Sequence, residues 1–146
     1  MEIKRINGRY LKAEYTLGRQ QFKDEFWFTR KFLKETLKRN CISLGAFEKN
    51  RLIGVIQVDL LDRPKAWIFF FDVNKEHRKK GLGTKLLNEI IKKIPKGFYK
   101  LYVDLEKTDK EALKFYKAHG FTLAGKIEDW FGKSSTGLLY SKTIDK

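Results

Sequence analysis

The sequence predicts a single α+β domain over residues 1–146, built on a mixed, mainly antiparallel central sheet flanked by helices. Between residues 41 and 73, strand-like runs are separated by short turns, which is typical of a meander. A strongly amphipathic helix pattern follows, and a further strand comes after it. A helix between two strands of one sheet gives a parallel crossover, so meander and crossover together predict this fold class.

The first half of the chain contains one predicted helix and three predicted strands. Residues 20–39 are predicted to be a single helix, because apolar residues recur along one stripe: Phe22, Phe26, Leu33 and Leu37. Strands are predicted at 41–47, 52–61 and 66–73, with turns at 48–51 and 62–65. The third strand is almost wholly apolar, which predicts burial on both faces.

The second half alternates helices and strands. Apolar residues at helical spacing predict a helix over 82–94, and Pro95 follows as a stop. A strand is predicted at 99–105. Thr108 and Glu111 match a capping box, and the helix that they open is predicted to end before Gly120. Two strands, at 121–130 and 138–144, complete the chain.

Composition limits the classes of protein. A hydrophobic content of 42% is enough for a buried core, and a net charge of +14 favours an anionic partner such as nucleic acid or a phosphorylated cofactor. The apolar runs are far shorter than the roughly 20 residues that span a bilayer. The N-terminus lacks the apolar stretch of a secretory signal, and the single cysteine cannot form an internal disulfide or a zinc site alone. We therefore expect a cytoplasmic protein that binds neither a membrane nor a metal ion. The sequence leaves open whether the protein forms a homodimer.

The turn after the third strand is the most informative segment. It reads Arg78-Lys79-Lys80-Gly81-Leu82-Gly83-Thr84 and opens the 82–94 helix. Helix N-termini carry N–H donors and a positive dipole end, and glycine lets the backbone approach a bulky anion. The turn lacks the Gly-x-Gly-x-x-Gly of a dinucleotide fingerprint and the Gly-Lys-Ser/Thr of a P-loop. It nevertheless predicts a phosphate-bearing ligand.

Two motifs resemble one family. Arg78-x-x-Gly81-x-Gly83, after a strand ending in Val73, resembles the pyrophosphate-binding motif of the GNAT superfamily of N-acetyltransferases, and residues 112–121 resemble its second motif. The resemblance covers roughly residues 41–146, and the first 40 match only loosely. It implies a sheet with a V-shaped splay, acetyl-coenzyme A (acetyl-CoA) as cosubstrate, and direct attack by a primary amine in a ternary complex.

The resemblance also implies a set of cofactor-binding residues. The backbone N–H groups of residues 78–84 would hold the pyrophosphate, while Val73 and its neighbours would pair with the pantetheine arm. The full set is Phe71, Val73, Arg78, Lys79, Lys80, Gly81, Leu82, Gly83, Thr84 and Asp109. Two of these depart from the family pattern. The family often has glycine at the position of Lys79, and it usually has asparagine at the position of Asp109.

Amine acetylation needs a deprotonated amine, a donor to the thioester oxygen and an acid for the leaving thiolate. The resemblance places the acid on Tyr116; a core tyrosine is the alternative. It places the base on Asp104, twelve residues earlier, for which a salt bridge to a lysine is the alternative. Asp72, Glu76 and Asp129 are weaker options for the base, and a water chain would also suffice.

Other reactive side chains receive structural interpretations. His77 lies in a basic turn and His119 near a helix C-terminus, where positive charge is favourable. Cys41 has no base partner nearby in sequence, which disfavours a covalent acyl-cysteine route.

The acceptor side is predicted from aromatic residues. Phe26 and Trp130 could line an acceptor groove, although aromatic residues at such positions are more often core. The segment Glu128-Asp129-Trp130-Phe131 resembles an acidic–aromatic segment of peptide-modifying relatives, which favours a protein N-terminus or lysine as acceptor.

Two other functions compete with an acetyltransferase. A basic nucleic-acid-binding module would need exposed aromatic residues on a sheet face, whereas the run 69–71 reads as buried. A sensor of the same fold would bind coenzyme A without catalysis.

Overall fold

The fold is that of a computed structural model, which describes residues 1–22 and 28–146. The chain forms two compact units. The first contains Met1–Leu60 and Phe69–Ile94, and the second contains Leu61–Ile68 and Pro95–Lys146. Among the described residues, no helix is long and apolar enough to cross a membrane.

The helices and strands have the following bounds. The strands are β1 (Glu2–Arg5), β2 (Cys41–Glu48), β3 (Arg51–Leu60), β4 (Lys65–Val73), β5 (Lys100–Glu106), β6 (Thr122–Ile127) and β7 (Gly137–Thr143). The α-helices are α1 (Leu11–Phe22), α2 (Arg30–Thr36), α3 (Leu82–Lys93) and α4 (Lys110–Ala118). Two 3-10 turns lie at Gly8–Tyr10 and Lys75–His77.

In the first unit the strands follow the order β1-β2-β3-β4, and the β1–β2 and β2–β3 pairs are antiparallel. The predicted turn between β2 and β3 is present. Lys49 and Asn50 both adopt positive φ, 49° and 64°, as a two-residue hairpin turn of the primed type requires.

The predicted single helix over residues 20–39 is wrong, because two helices, α1 and α2, form there. Thr29 has extended backbone angles (φ −127°, ψ 165°), and its hydroxyl accepts a hydrogen bond from the Phe32 N–H at 3.0 Å. This N-cap starts a new helix. Phe28 is buried against Gly18 of α1, where any Cβ would overlap the phenyl ring. Phe26 lies outside the described residues.

The helix α3 confirms the prediction for 82–94. Its apolar residues are buried: Leu82, Leu86, Leu87 and Ile90. A Cβ at Gly54 of β3 would lie 3.0 Å from Leu86 and 3.4 Å from Leu82, so helix and strand pack closely at this glycine.

The prediction that β4 is buried on both faces is wrong. Ala66, Ile68 and Phe70 are buried, whereas the alternate residues Trp67 and Phe69 are half-buried. The bulky rings on the second face are covered only in part. Phe69, for example, meets the Phe32 ring and the Arg39 guanidinium, at centroid distances of 5.8 and 4.5 Å.

In the second unit the order is β4-β5-β7-β6. β4 and β5 are parallel over Lys65–Trp67 and Lys100–Tyr102, whereas β5–β7 and β6–β7 are antiparallel. The parallel crossover and the antiparallel pairs confirm the predicted α+β class with a mixed, mainly antiparallel sheet.

The helix α4 starts one residue later than the predicted capping box implies. Its N-cap is Asp109, not Thr108, and the Asp109 carboxylate accepts from the Ala112 N–H at 3.1 Å. Aspartate accepts this bond at least as well as threonine, so it takes the position. Gly120 follows the helix at φ 84°, as predicted for a C′ glycine.

Candidate functional site

The turn between β4 and α3 presents backbone amides and glycine. Lys79 and Gly81 adopt positive φ, 60° and 82°. The first hydrogen bond of α3 runs from the Lys85 N–H to the Gly81 carbonyl, at 3.1 Å. As at any helix start, the preceding amides have no acceptor inside the helix. A Cβ built on Gly81 has no atom within 4 Å, so bare backbone here faces open space that an anion can occupy.

Arg78 braces this turn. Its Nε donates to the Val73 carbonyl at 2.8 Å, and its Nη2 donates to Asp72 Oδ1 at 3.3 Å. The guanidinium therefore lies against the end of β4. The Arg78 N–H, predicted as a pyrophosphate donor, instead donates to the Lys75 carbonyl at 3.3 Å, so Arg78 can offer an anion its nearby charge. Asp72 is 3% exposed. Burial raises its pKa to about 6, and the positive charge of Arg78 opposes that rise.

The other predicted cofactor residues of the first unit lie around the same turn. Phe71 and Val73 are half-buried at the end of β4, while Lys79 and Lys80 are exposed. The Leu82 side chain is buried in the core, so only its backbone is available to a ligand. The exposed lysines add positive charge at the helix start, which favours an anion there.

Tyr116 lies on α4 in the second unit and is 5% exposed. Its ring packs edge-on against Phe115 and Phe121, with centroids 5.2 and 5.1 Å away. Burial raises the pKa of the Tyr116 phenol, and the negative charges of Asp104 and Asp109 raise it further. The phenol therefore stays protonated and can act as a hydrogen-bond donor.

Asp104 lies on β5 and is held by two tryptophans. Its Oδ1 accepts from the indole N–H of Trp67, and its Oδ2 accepts from that of Trp130, both at 2.8 Å. These partners replace the lysine that we considered as the alternative. Because the Asp104 charge acts on Tyr116, the two predicted catalytic residues share one electrostatic environment. Their catalytic roles stay predictions.

The remaining predicted residues of the site differ in what the structure says of them. Asp109 is the N-cap of α4, so one carboxylate oxygen is occupied by the Ala112 N–H. This bond satisfies the acidic residue that stands where the family usually has asparagine. Trp130 is 46% exposed in the loop between β6 and β7. Phe26 was predicted beside the acceptor and cannot be placed, since it lies outside the described residues.

The other reactive side chains show no catalytic arrangement. His119 Nδ1 lies 2.7 Å from the Phe115 carbonyl, within its own helix end. Burial raises the pKa of the Cys41 thiol, and the charge of Asp59 raises it further, which opposes formation of a nucleophilic thiolate. Residues 1–22 and 28–146 contain no cluster of His, Cys, Asp or Glu that could hold a metal ion.

Sequence reasoning missed a buried carboxyl group. Glu14 of α1 is 1% exposed, and neither of its oxygens has a hydrogen-bond partner in the described part of the chain. Burial raises its pKa to about 7. A signal was present, because Glu14 shares a helical stripe with Leu11, Leu17 and Gly18, and that stripe predicts a core-facing position. The roles of Trp67 and Gly137 beside Trp130 were also missed.

Comparison with known proteins identifies the fold. The E. coli ribosomal-protein-S18-alanine N-acetyltransferase superposes with a TM-score of 0.85 at 17% identity, covering 99% of this chain and 94% of that one. An aminoglycoside 6′-N-acetyltransferase complexed with coenzyme A gives 0.85 at 18% identity, covering 100% and 98%. NAA60 of Arabidopsis thaliana, in complex with a bisubstrate analogue, gives 0.82 at 18% identity, covering 99% and 98%. At these identities the likeness shows the fold alone.

Sequence comparison supplies the family. No curated protein matches the sequence. The sequence profile of the Acetyltransferase (GNAT) family matches residues 7–121, so it includes most of the N-terminal segment that we expected to match only loosely. Since that match spans well over half of the chain and agrees with the fold, the chain belongs to the GNAT acetyltransferase family.

Proposed function

We propose that this protein transfers an acetyl group from acetyl-CoA to a primary amine of a peptide or protein, with both substrates bound at once. The observation that carries the proposal is the turn before α3, where Gly81 adopts φ 82° and its backbone faces open space. Family membership supports acetyl-CoA as the ligand of this turn, and so does a structural neighbour that is complexed with coenzyme A.

The residues of the turn fit a diphosphate. The backbone N–H groups of residues 79–84 are the proposed donors, since that of Arg78 donates to the Lys75 carbonyl, and Lys79 and Lys80 supply positive charge from exposed positions. Arg78 contributes by fixing the turn against Val73 and Asp72. Phe71 and Val73 are the proposed contacts of the pantetheine arm. When bound, acetyl-CoA supplies the thioester carbon that the amine attacks.

The proposed acid and base lie in the second unit. Tyr116 is the proposed acid. Its buried phenol is protonated before the reaction, and in the proposed step it donates a hydrogen bond to the leaving sulfur and passes its proton to it as the thiolate forms. Asp104 is the proposed group that takes the proton of the acceptor ammonium. An ionised carboxylate offers about four acceptor positions, so the two indole N–H groups leave capacity for a third donor.

The proposed acceptor is the N-terminal amine or a lysine of a peptide. The exposed Trp130 is the aromatic surface proposed to contact it, with Phe26 as a second proposed contact, and Glu128 and Asp129 are carboxylates next to Trp130. The E. coli neighbour named for the alanine of a ribosomal protein supports a peptide acceptor. Another structural neighbour is named as an aminoglycoside 6′-N-acetyltransferase, so an aminoglycoside is the alternative acceptor to compare.

A transfer assay tests the proposal. Purified protein is incubated with acetyl-CoA and matched acceptors: a peptide with a free N-terminus, the same peptide N-terminally blocked but with one lysine, and an aminoglycoside. We expect thiol release to depend on the protein and on a peptide amine. Thiol release with the aminoglycoside alone would contradict a peptide acceptor. It would still support acetyltransferase activity.

A binding experiment separates the competing function. Titration with a single-stranded oligonucleotide at increasing salt, beside titration with coenzyme A, distinguishes a basic nucleic-acid module from an acetyltransferase. We expect saturable binding of coenzyme A. Binding of nucleic acid alone, with a steep salt dependence and no thiol release, would overturn the proposal.

A further inference from the structure

The Asp104 carboxylate is a junction between three elements. Asp104 belongs to β5, the Trp67 donor to β4, and the Trp130 donor to the hairpin loop, residues 128–136 between β6 and β7. Each carboxylate oxygen receives one indole N–H at 2.8 Å. Hydrogen bonds to an ionised acceptor are among the strong ones in proteins, so these two bonds restrict both side-chain torsions of Asp104.

The Trp67 side of the junction is rigid. Trp67 is paired with Tyr102 in the parallel ladder of β4 and β5, and the two rings stack with centroids 5.8 Å apart and planes at 23°. The indole is thus held by the sheet and by its neighbouring ring. Its N–H is a fixed donor that orients Oδ1 of Asp104.

The hairpin loop is braced internally. Asp129 and Ser134 adopt positive φ, 55° and 64°, and Gly132 has φ 131°. The Asp129 carboxylate accepts from the Ser134 N–H at 2.7 Å, and the Ser135 N–H donates to the Gly132 carbonyl at 3.1 Å. These bonds give the loop a defined shape, but they do not attach it to the sheet.

Trp130 attaches the loop to the sheet. Its indole reaches Asp104, and its Cβ and ring lie against bare backbone at Gly137, where an added Cβ would come within 2.6–2.7 Å of them. The Thr136 carbonyl also accepts from the Lys107 N–H at 3.0 Å, next to the start of β7. Trp130 and Phe131 nevertheless stay 46% and 47% exposed, so the seated loop presents aromatic surface to solvent.

We propose that Trp67 and Trp130 are positioning residues, which hold the Asp104 carboxylate in one orientation between two indole N–H groups, and that the Asp104–Trp130 bond seats the hairpin loop. The inference rests on the proposed function, because it assigns the orientation of the proposed base and the position of the acceptor surface to one carboxylate. Loss of the Trp67 donor frees the carboxylate alone, whereas loss of the Trp130 donor also releases the loop.

Two single substitutions separate these effects. Trp67→Phe removes the donor to Oδ1 and keeps a ring beside Tyr102, so we expect kcat to fall about tenfold with acceptor KM within twofold of wild type. Trp130→Phe removes the donor to Oδ2, and we expect acceptor KM to rise about tenfold in addition to a fall in kcat. Tyr99→Phe, an exposed ring of the same unit, is the matched control and should change neither constant.

A second measurement does not depend on activity. The hairpin loop contains one lysine, the exposed Lys133, so trypsin cleavage after it, followed by mass spectrometry, reports how firmly the loop is seated. We expect Trp130→Phe and Asp104→Asn to be cut at least fivefold faster than wild type, and the double variant no faster than either single one. Trp67→Phe should be cut at the wild-type rate.

The outcomes distinguish the two proposals. Wild-type cleavage after Lys133 in Trp130→Phe, or wild-type kcat in Trp67→Phe, would overturn the positioning role, even if the protein acetylates peptides well. Faster cleavage in Trp130→Phe and Asp104→Asn, in a protein that acetylates no amine, would leave the loop attachment standing and overturn the proposed function.

Discussion

Replacing Glu14 with glutamine should remove much of the pH dependence of folding stability between pH 4.5 and 7. The Glu14 side chain is 1% exposed, and neither carboxyl oxygen has a hydrogen-bond partner within the described residues. Because burial disfavours charge, the folded protein is more stable when a carboxyl group in that position is neutral. Burial is accordingly the cause that raises the pKa of Glu14.

The sign and size follow from the pKa values. Burial raises the Glu14 pKa from 4.5 to about 7, so between these values the native state binds more protons than the unfolded state. Stability from this group is fully present below pH 4.5 and is lost as the pH rises through 7. At about 1.4 kcal/mol for each pKa unit, the loss is roughly 3 kcal/mol.

Urea unfolding from pH 4 to pH 9 measures the effect. Between the two ends of this range, wild type should lose roughly 3 kcal/mol more unfolding free energy than Glu14→Gln. Asp72, whose pKa burial raises to about 6, contributes in the same direction to both proteins and cancels in the difference. Glu35→Gln, an exposed carboxylate on α2, is the control and should follow wild type. Equal pH slopes for wild type and Glu14→Gln would refute the reasoning.

Three further substitutions test other parts of the structure. Tyr116→Phe should lower kcat by about 10²-fold or more while coenzyme A still binds in a titration, because only the proton donor is lost; unchanged turnover would remove Tyr116 from the mechanism. Gly18→Ala should cost about 1–3 kcal/mol in urea unfolding, because its Cβ overlaps the buried Phe28 ring, whereas Gly8→Ala, with nothing within 4 Å, should cost little. Asp109→Ala should cost about 1 kcal/mol by loss of the α4 N-cap, and a neutral result would show that the cap is not needed.

Much of the fold was predictable because local patterns agreed with the tertiary structure. The strands β2, β3 and β7 and the helix α3 lie close to where apolar periodicity and turn residues place them. The strand predicted over 121–130 is too long, because β6 ends at Ile127 and a loop follows. The single helix over 20–39 failed for the opposite reason. Its apolar stripe continues across Thr29, whereas the chain uses Thr29 to cap a second helix. Helical periodicity does not register such an interruption.

The candidate site was predictable only where glycine or a motif marks it. Gly81 is visible because a helix start with positive φ favours glycine. The partners of Asp104 were not visible, because Trp67 reads as one more apolar residue of a strand, and Trp130 lies 26 residues away in the chain. Contacts between residues so far apart in sequence leave no periodic signal. The buried Glu14 is marked in the sequence only by the helical stripe that it shares with Leu11, Leu17 and Gly18.

The central claim is that the backbone around Gly81 holds a diphosphate, and calorimetric titration with coenzyme A tests it most directly. Gly81→Leu places a side chain in the open space at φ 82°, and Gly120→Leu imposes a similar strain at φ 84°, just after the end of α4. Each substitution is expected to cost about 1–2 kcal/mol in folding. The account predicts that wild type and Gly120→Leu bind coenzyme A with one affinity, and that Gly81→Leu, still folded, binds at least tenfold more weakly. Equal affinity in all three proteins would contradict it.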